Sequence, residues 1–194
     1  VAEENEEVTV QSPRALPWVS WICMSIFFVL LVGNIALWAF LERIGANLEL
    51  TGSEVGIVFA VLKLLGGAAA FFVARIGDRV GARCAYWIVL LGVLVGLLFL
   101  LGADSFLPFA LGAWIWEFAF TCGCVLQVAG IALSDASGRA LVLVPAVFAL
   151  SSMVGPGLAG QLAAGGSFSG VLLLAAVSSV LLALSYSFWQ PIEN

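Results

Sequence analysis

The stretch VGIVFAVLKLLGGAAAFFVARIGDRVGARCAYWIVLLGVLVGLLFLLG, residues 55–102, decides the fold, because two long apolar runs flank a short basic loop. A helix that crosses a bilayer needs about 20 mostly apolar residues, and residues 55–75 and 84–102 each reach that length. Four more such runs cover residues 18–41, 106–133, 140–163 and 168–188. The sequence therefore predicts an all-α membrane protein with six transmembrane helices.

Composition narrows the functional class. Hydrophobic residues make up 63% of the chain and charged residues only 10%, which is too little polarity for a soluble surface. The chain has no histidine, so it cannot form an HExxH zinc site, a histidine haem ligand or a Ser-His dyad. A Walker loop is also missing from the sequence. We expect no enzymatic activity, no cofactor or metal, and no nucleic-acid partner.

Charge placement predicts the domain plan and the orientation. Residues 1–17 are polar and acidic, as in a cytoplasmic linker or tail; residues 18–189 form the transmembrane domain and 190–194 a short cytoplasmic tail. By the positive-inside rule both termini are cytoplasmic. The arginines on that side are Arg14, Arg75, Arg79, Arg83 and Arg139, against Arg43 on the other. A multi-pass protein of a bacterial inner membrane is expected.

Two charges interrupt the apolar runs, Lys63 and Glu117. A bare charge at the bilayer centre costs about 2.5 to 3.5 kcal/mol, so such groups usually pair, meet water or handle a ligand. Counted at 1.5 Å per residue from the predicted outer helix ends, they lie roughly 12 and 17 Å deep and could meet. A permanent structural ion pair and a functional site both remain open, and we favour the functional site.

Polar residues near these charges extend the candidate site. Asn34, Trp38 and Glu42 recur every four residues on the first helix. Trp116 adjoins Glu117 and lies too deep for an interfacial tryptophan. The alternative is a packed asparagine, an interfacial Trp38 and a charge pair between Glu42 and its neighbour Arg43.

The fifth run carries small residues on two faces. Its sequence SSMVGPGLAG, residues 151–160, repeats small residues at four-residue spacing and contains Gly155, Pro156 and Gly160. Such faces allow close helix approach, and the proline bends its helix. Both a rocking interface and a static packed helix are consistent with this pattern.

The loop VARIGDRVGARC, residues 73–84, is the most specific local motif. Physically, Gly81 permits a tight reversal, and Asp78 can cap the next helix or pair with an arginine; a topology signal alone is the alternative. The loop resembles the cytoplasmic signature of the major facilitator superfamily, Gly-x-x-x-Asp-Arg-x-Gly-Arg/Lys-Arg/Lys. Asp78, Arg79, Gly81 and Arg83 match it, whereas Ala74 and Ala82 depart from it.

Three other stretches are similar to the same family. SDASGRA, with Asp135 and Arg139, resembles the loop after the fourth helix of a half, and SSMVGPGLAG resembles the Gly-Pro-rich fifth helix. LWAFLERIG, residues 37–45, is similar to a run in the second half of some bacterial members. Together the likeness covers nearly the whole chain.

The resemblance implies one six-helix half of a secondary transporter that moves a small solute by alternating access. From the buried Glu117 we also predict that transport is coupled to protons. In the family the first, second, fourth and fifth helices of a half border the cavity, which would place Lys63 and Glu117 beside the transport path. Glu117 would exchange a proton, and Lys63 would be its partner or hold an anionic substrate group. Asn34, Trp38, Trp116 and Glu42 complete this site, and the implied cytoplasmic gate comprises Asp78, Arg79, Gly81, Arg83, Asp135 and Arg139.

The expected partners follow from this picture. They are the solute, H+, the lipid bilayer, and either a missing N-terminal six-helix half or a second copy of the chain. A non-transporting scaffold and a dimerising six-helix protein are alternatives. The membrane domain of an ATP-driven transporter is disfavoured, because the loops are too short to reach an ATPase.

Overall fold

The structure is a computed structural model that describes residues 15–188, and for Asp78 only the backbone. The predicted acidic linker lies outside the described residues up to position 14, as do Arg14 and the predicted tail from 190. Seven helices are present in the described part: α1 Trp18–Asn47, α2 Gly52–Ile76, α3 Ala82–Leu101, α4 Phe106–Ser134, α5 Arg139–Val142, α6 Val144–Leu162 and α7 Ser169–Phe188.

Six spans are long and apolar enough to cross a membrane, which confirms the predicted all-α fold. The single turn α5 continues through Leu143 into α6, so that the two form one span, Arg139–Leu162. Only the end of α1 departs clearly from prediction, because the helix continues past residue 41 through Glu42 and Arg43. Helical hydrogen bonding does not stop where the apolar core of the bilayer stops.

The spans form a row with two helices behind it. Along the row α2 packs on α4, α4 on α1, and α1 on α6, while α3 and α7 pack behind α4 and α1. The fully buried side chains of α1 include Phe27, Leu31 and Leu37. By contrast, α2 and α6 stand at the two ends of the row and keep most of their surface uncovered. The row consists of the first, second, fourth and fifth spans.

Backbone contact through glycine joins α3 to α4. A Cβ atom placed on Gly96 would lie 2.6 Å from the backbone nitrogen of Trp116 and 2.8 Å from the backbone oxygen of Gly112. Placed on Gly112, it would lie 2.9 Å from the Gly96 oxygen. Because hydrocarbon tails give helices no hydrophobic reason to associate, such close van der Waals packing is a principal source of cohesion in a membrane.

Among the residues that the structure describes, only one of the two small faces predicted on the fifth run packs against another helix. Ser151, Gly155 and Ala159 face α1, and a Cβ atom on Gly155 would lie 2.7 Å from the Val32 oxygen. Gly160 lies on the other face, where a Cβ atom would meet nothing within 4 Å. Pro156 is half-buried beside that open face.

The two loops at the arginine-rich end use glycine differently. Gly81, which was predicted to permit a tight reversal, precedes α3 with φ −55° and ψ 140°. Any residue can adopt this conformation, so the chain makes no use of the extra freedom of glycine there. Instead, α2 ends in a 3-10 turn, Gly77–Arg79. Gly138 has φ +72°, in the left-handed region that side chains disfavour.

Gly155→Ala is expected to destabilise the six-span bundle, called the half bundle below, by about 1 to 3 kcal/mol, because the new methyl group must displace the backbone of α1. Gly160→Ala is the matched control on the same helix and should be neutral or slightly stabilising. Thermal unfolding of the purified protein in detergent measures both. Equal melting temperatures for the two variants would contradict the close approach of α6 to α1.

Candidate functional site

Lys63 lies on α2 with its side chain exposed on this half bundle. Its ammonium nitrogen is 4.5 Å from the ring centroid of Trp38 on α1. This is a cation–π contact, in which the negative face of the indole attracts the charge. Phe59 meets the same indole edge-on, with ring centroids 5.7 Å apart. The aromatic pair therefore holds the lysine between α1 and α2.

Glu117 lies on α4, and only 8% of its surface is exposed. Its carboxylate faces Gly66 of α2, since a Cβ atom there would lie 3.6 Å from Oε1 and 3.7 Å from the Thr121 hydroxyl. No described residue donates a hydrogen bond to the enclosed Oε2 atom. Buried polar atoms are nearly always hydrogen-bonded, so this carboxyl group needs a proton, a cation or water.

Lys63 and Glu117 are neighbours without being an ion pair. Lys63 is three residues, or about one helical turn, from Gly66, whose backbone faces the Glu117 carboxylate. Among the residues that the structure describes, no cationic side chain lies within ion-pair distance of Glu117. The alternative of a permanent structural ion pair is therefore not the arrangement in this structure.

Asn34 and Trp116 lie inside the bundle. They were expected to line a cavity, and they do not. Both are 0% exposed, and the Trp116 indole donates a 2.9 Å hydrogen bond to the Asn34 Oδ1 atom. The Asn34 amide nitrogen donates to the Leu30 oxygen at 2.9 Å. It also lies 3.3 Å from the hydroxyls of Ser178 and Ser179 on α7. These residues join α1 to α4 and α7.

The remaining predicted residues on α1 lie nearer the solvent. Trp38 is half-buried, and Glu42 is exposed near the C-terminal end of the helix. Arg43 places its guanidinium 5.0 Å from the Phe40 ring centroid. The described residues show no Glu42–Arg43 ion pair. Of Asn34, Trp38 and Glu42, only Trp38 contacts Lys63.

A row of the first, second, fourth and fifth spans, with a buried acid and a lysine on it, is the arrangement that the sequence motif implied. The sequence-family model of the Major Facilitator Superfamily matches residues 21–194 of this chain. The chain belongs to the major facilitator superfamily. Members of this superfamily are transporters and not enzymes, in agreement with the sequence, and the chain is an integral, multi-pass membrane protein.

A curated relative and the solved structures complete the comparison. The Multidrug efflux protein YfmO of Bacillus subtilis (strain 168) is 28% identical over 160 residues, covering 79% of this chain and 38% of that protein. The chain thus spans well under half the length of the curated relative that it matches. No solved structure matches it significantly.

The signature loop of this major facilitator chain holds α3 against α7. A guanidinium nitrogen of Arg83 donates a 2.7 Å hydrogen bond to the backbone oxygen of Ser187, in the last turn of α7. Trp87 donates to the hydroxyl of the same serine at 2.9 Å. A cation at a helix C-terminus is favourably placed. Arg79 is exposed, and the gating role of the Asp78 side chain stays a prediction.

The second loop of the superfamily likeness is closed by Asp135. Its carboxylate accepts hydrogen bonds from the Ser137 hydroxyl at 2.6 Å and from the backbone nitrogens of Ser137 and Ala140 at 3.1 Å each. Arg139 donates from Nε to the Ser137 hydroxyl at 3.0 Å. Asp135 and Arg139 therefore have local partners, which cap α5 and fix the turn after α4.

Sequence reasoning missed a second buried polar group in this major facilitator bundle. Gln127 of α4 is fully buried, accepts a 3.0 Å hydrogen bond from the Tyr86 hydroxyl, and leaves its Nε2 atom without a partner in the described residues. Tyr86 stacks on Tyr186 at 4.1 Å between ring centroids. The available signal was the same as for Glu117, a polar residue within an apolar run.

Asp135 should make stability depend on pH in acid. Hydrogen bonds to the carboxylate, chiefly from the Ser137 hydroxyl, lower the pKa of Asp135 below its usual value. The stabilisation is therefore complete above the unfolded pKa of about 3.9 and is lost as the pH falls through the lower folded value. Wild type should melt above Asp135→Asn at pH 7, and the difference should vanish in stronger acid. With Ser137→Ala the folded pKa of Asp135 should lie closer to the unfolded value, so the stabilisation at pH 7 should be smaller and its loss complete at a higher pH. An unchanged profile would contradict the role of that hydroxyl.

Proposed function

We propose that this chain is one six-helix half of a proton-coupled secondary transporter that moves a small solute by alternating access. The observation that carries the proposal is the buried Glu117 carboxylate, whose Oε2 atom has no hydrogen-bond partner among the described residues. It faces Gly66, which lies one helical turn from Lys63 on α2. A fixed structural role for an acid in this position would call for a fixed partner. Exchange of a proton at Glu117 would give the group a different partner in each state, the proton in one and Lys63 in the other.

Lys63 is proposed to respond to the charge of Glu117. While Glu117 holds a proton, the ammonium group stays on the face of Trp38, a contact worth about 0.5 to 2 kcal/mol. Two unit charges 4 Å apart attract each other by about 4 kcal/mol at the effective dielectric of a protein surface. Loss of the proton should therefore draw Lys63 from Trp38 towards Glu117 and move α2 relative to α1.

The transport path is proposed to run along the row α2, α4, α1 and α6. Large apolar side chains stand exposed on its end helices, including Leu64 and Phe71 on α2 and Met153 on α6. A second six-helix half, or a second copy of the chain, would cover them and close a cavity next to Lys63. Asn34 and Trp116 would position the site from behind, and Trp38 would line it.

Export is the favoured direction of transport, and apolar solutes are the favoured class. The support is the likeness to a relative named as a multidrug efflux protein, together with the apolar character of the row. Glu42 would lie at the outer mouth of the path. Asp78, Arg79, Gly81, Arg83, Asp135 and Arg139 would gate its cytoplasmic end through the two loops that they occupy.

Glu117→Gln should abolish the response of transport to a proton gradient, lowering proton-driven efflux at least about tenfold, or 1.4 kcal/mol. Glutamine keeps the size of the side chain and removes its titratable proton. Efflux from vesicles that contain the complete transporter, measured from pH 6 to 8, tests this expectation. Glu49→Gln is the matched control at an exposed position just after α1 and should keep the wild-type profile. Unchanged pH dependence in Glu117→Gln would refute proton exchange at Glu117.

The response of Lys63 is tested by a double-mutant cycle. Lys63→Gln should impair proton-driven efflux, Lys63→Arg should retain part of it, and Lys63→Gln combined with Glu117→Gln should be no worse than Glu117→Gln alone, because the groups act as a unit. Melting temperatures close to wild type would establish that each variant is folded. Additive losses in the double variant would contradict a shared role.

A further inference from the structure

A groove with a volume of about 400 Å³ runs between α2 and α3, with α4 as its floor. Its size lies within the range of about 300 to 1,000 Å³ that ligand pockets occupy. It extends along α2 from Leu65 to Ile76, which is about 17 Å at 1.5 Å per residue. That length is close to one leaflet, half of the roughly 30 Å hydrocarbon core.

The lining of this groove is hydrocarbon apart from two heteroatoms. These are the indole nitrogen of Trp114, which donates to the Val58 oxygen at 3.2 Å, and the thiol of Cys122, which lies 3.9 Å from the Ala69 oxygen. Both polar groups already have partners on α2. The side chains of the groove therefore offer no free hydrogen-bonding group to a polar solute, and its walls suit a hydrocarbon chain.

Positive charge stands at one end of the groove. Gly77 and Val80 line this end, and Arg75 and Arg79 flank those two residues with exposed side chains. Neither arginine has an ion-pair or hydrogen-bond partner among the side chains that the structure describes, unlike Arg83, which is bound to Ser187. By the positive-inside rule this end faces the cytoplasm, where anionic lipids are concentrated.

We propose that the groove binds one anionic phospholipid of the cytoplasmic leaflet, with an acyl chain between α2 and α3 and the head-group phosphate on Arg75 and Arg79. Guanidinium groups bind phosphate oxygens in a bidentate manner, and the adjoining groove has the length of a leaflet. Because α2 forms one wall of the groove and carries Lys63, the bound lipid would also influence the position of that helix.

A second groove provides an internal comparison. It lies between α3 and α7, has a volume of about 410 Å³, and is lined by apolar side chains and Ser169. No basic residue lines it. If apolar shape alone retained lipid, both grooves would do so without regard to head-group charge. If the arginines select the lipid, only the groove between α2 and α3 should prefer an anionic head group.

The test is native mass spectrometry of the purified protein after equilibration with equal amounts of phosphatidylglycerol and phosphatidylcholine. Wild type should retain phosphatidylglycerol in at least about tenfold excess. Arg75→Gln combined with Arg79→Gln should abolish that preference, whereas Arg43→Gln at the opposite end should preserve it. Equal retention of the two lipids by wild type, or an undiminished preference in the double variant, would overturn the proposal and leave an uncharged apolar occupant.

The acyl-chain part of the site is tested by filling each groove in turn. Ala85→Phe places a ring in the groove between α2 and α3 and should reduce bound phosphatidylglycerol several-fold, while Ala176→Phe fills the other groove and should not. An independent measurement leaves the groove unaltered in size and uses phosphatidylglycerol with brominated acyl chains. These chains should quench tryptophan fluorescence less in Trp114→Phe than in wild type. Equal effects of the two filling variants, or quenching unaffected by Trp114→Phe, would contradict chain binding between α2 and α3.

Discussion

The hydrogen bond from the Trp116 indole to Asn34 fixes the centre of the half bundle. It links α4 to α1, and the Asn34 amide continues to the hydroxyls of α7. On its other side, the Trp116 backbone lies against Gly96 of α3, where a side chain would not fit. The rotation of α4 is thereby set. Because successive residues on a helix point about 100° apart, setting Trp116 towards α1 directs Glu117 towards α2.

Much of the fold could be predicted because the bilayer imposes a simple rule on length and polarity. Six apolar runs gave six spans, and counting residues from their ends placed Lys63 and Glu117 at neighbouring depths. Whether the two charges meet depends on side-chain direction and on the competing ring of Trp38, which no residue count contains. The lack of an ion pair is therefore a property of the packed structure.

The geometry of the α-helix explains why Asn34, Trp38 and Glu42, which were predicted to share one face of α1, lie in different environments. Residues four apart on a helix differ by about 40° in direction, so Asn34 and Glu42 point about 80° apart. Asn34 thus faces the interior, Trp38 borders α2, and Glu42 is exposed. Gly81 illustrates another limit of sequence reasoning: a motif match identifies the residue but not its backbone angles, and here those angles require no glycine. Gly138, within the second motif, has the left-handed conformation instead.

The position of α2 at the end of the row has a mechanical consequence. α1, α3, α4 and α7 are joined to one another through several shared surfaces and buried hydrogen bonds, whereas α2 rests chiefly on α4. Opposite the Glu117 carboxylate, α2 presents the bare backbone of Gly66, so that no side chain interlocks there. Under the proposed function, α2 would be the helix that moves against the other four. Glu117 lies on one side of that boundary and Lys63 on the other, so a change in the charge of Glu117 would change the force between the two parts.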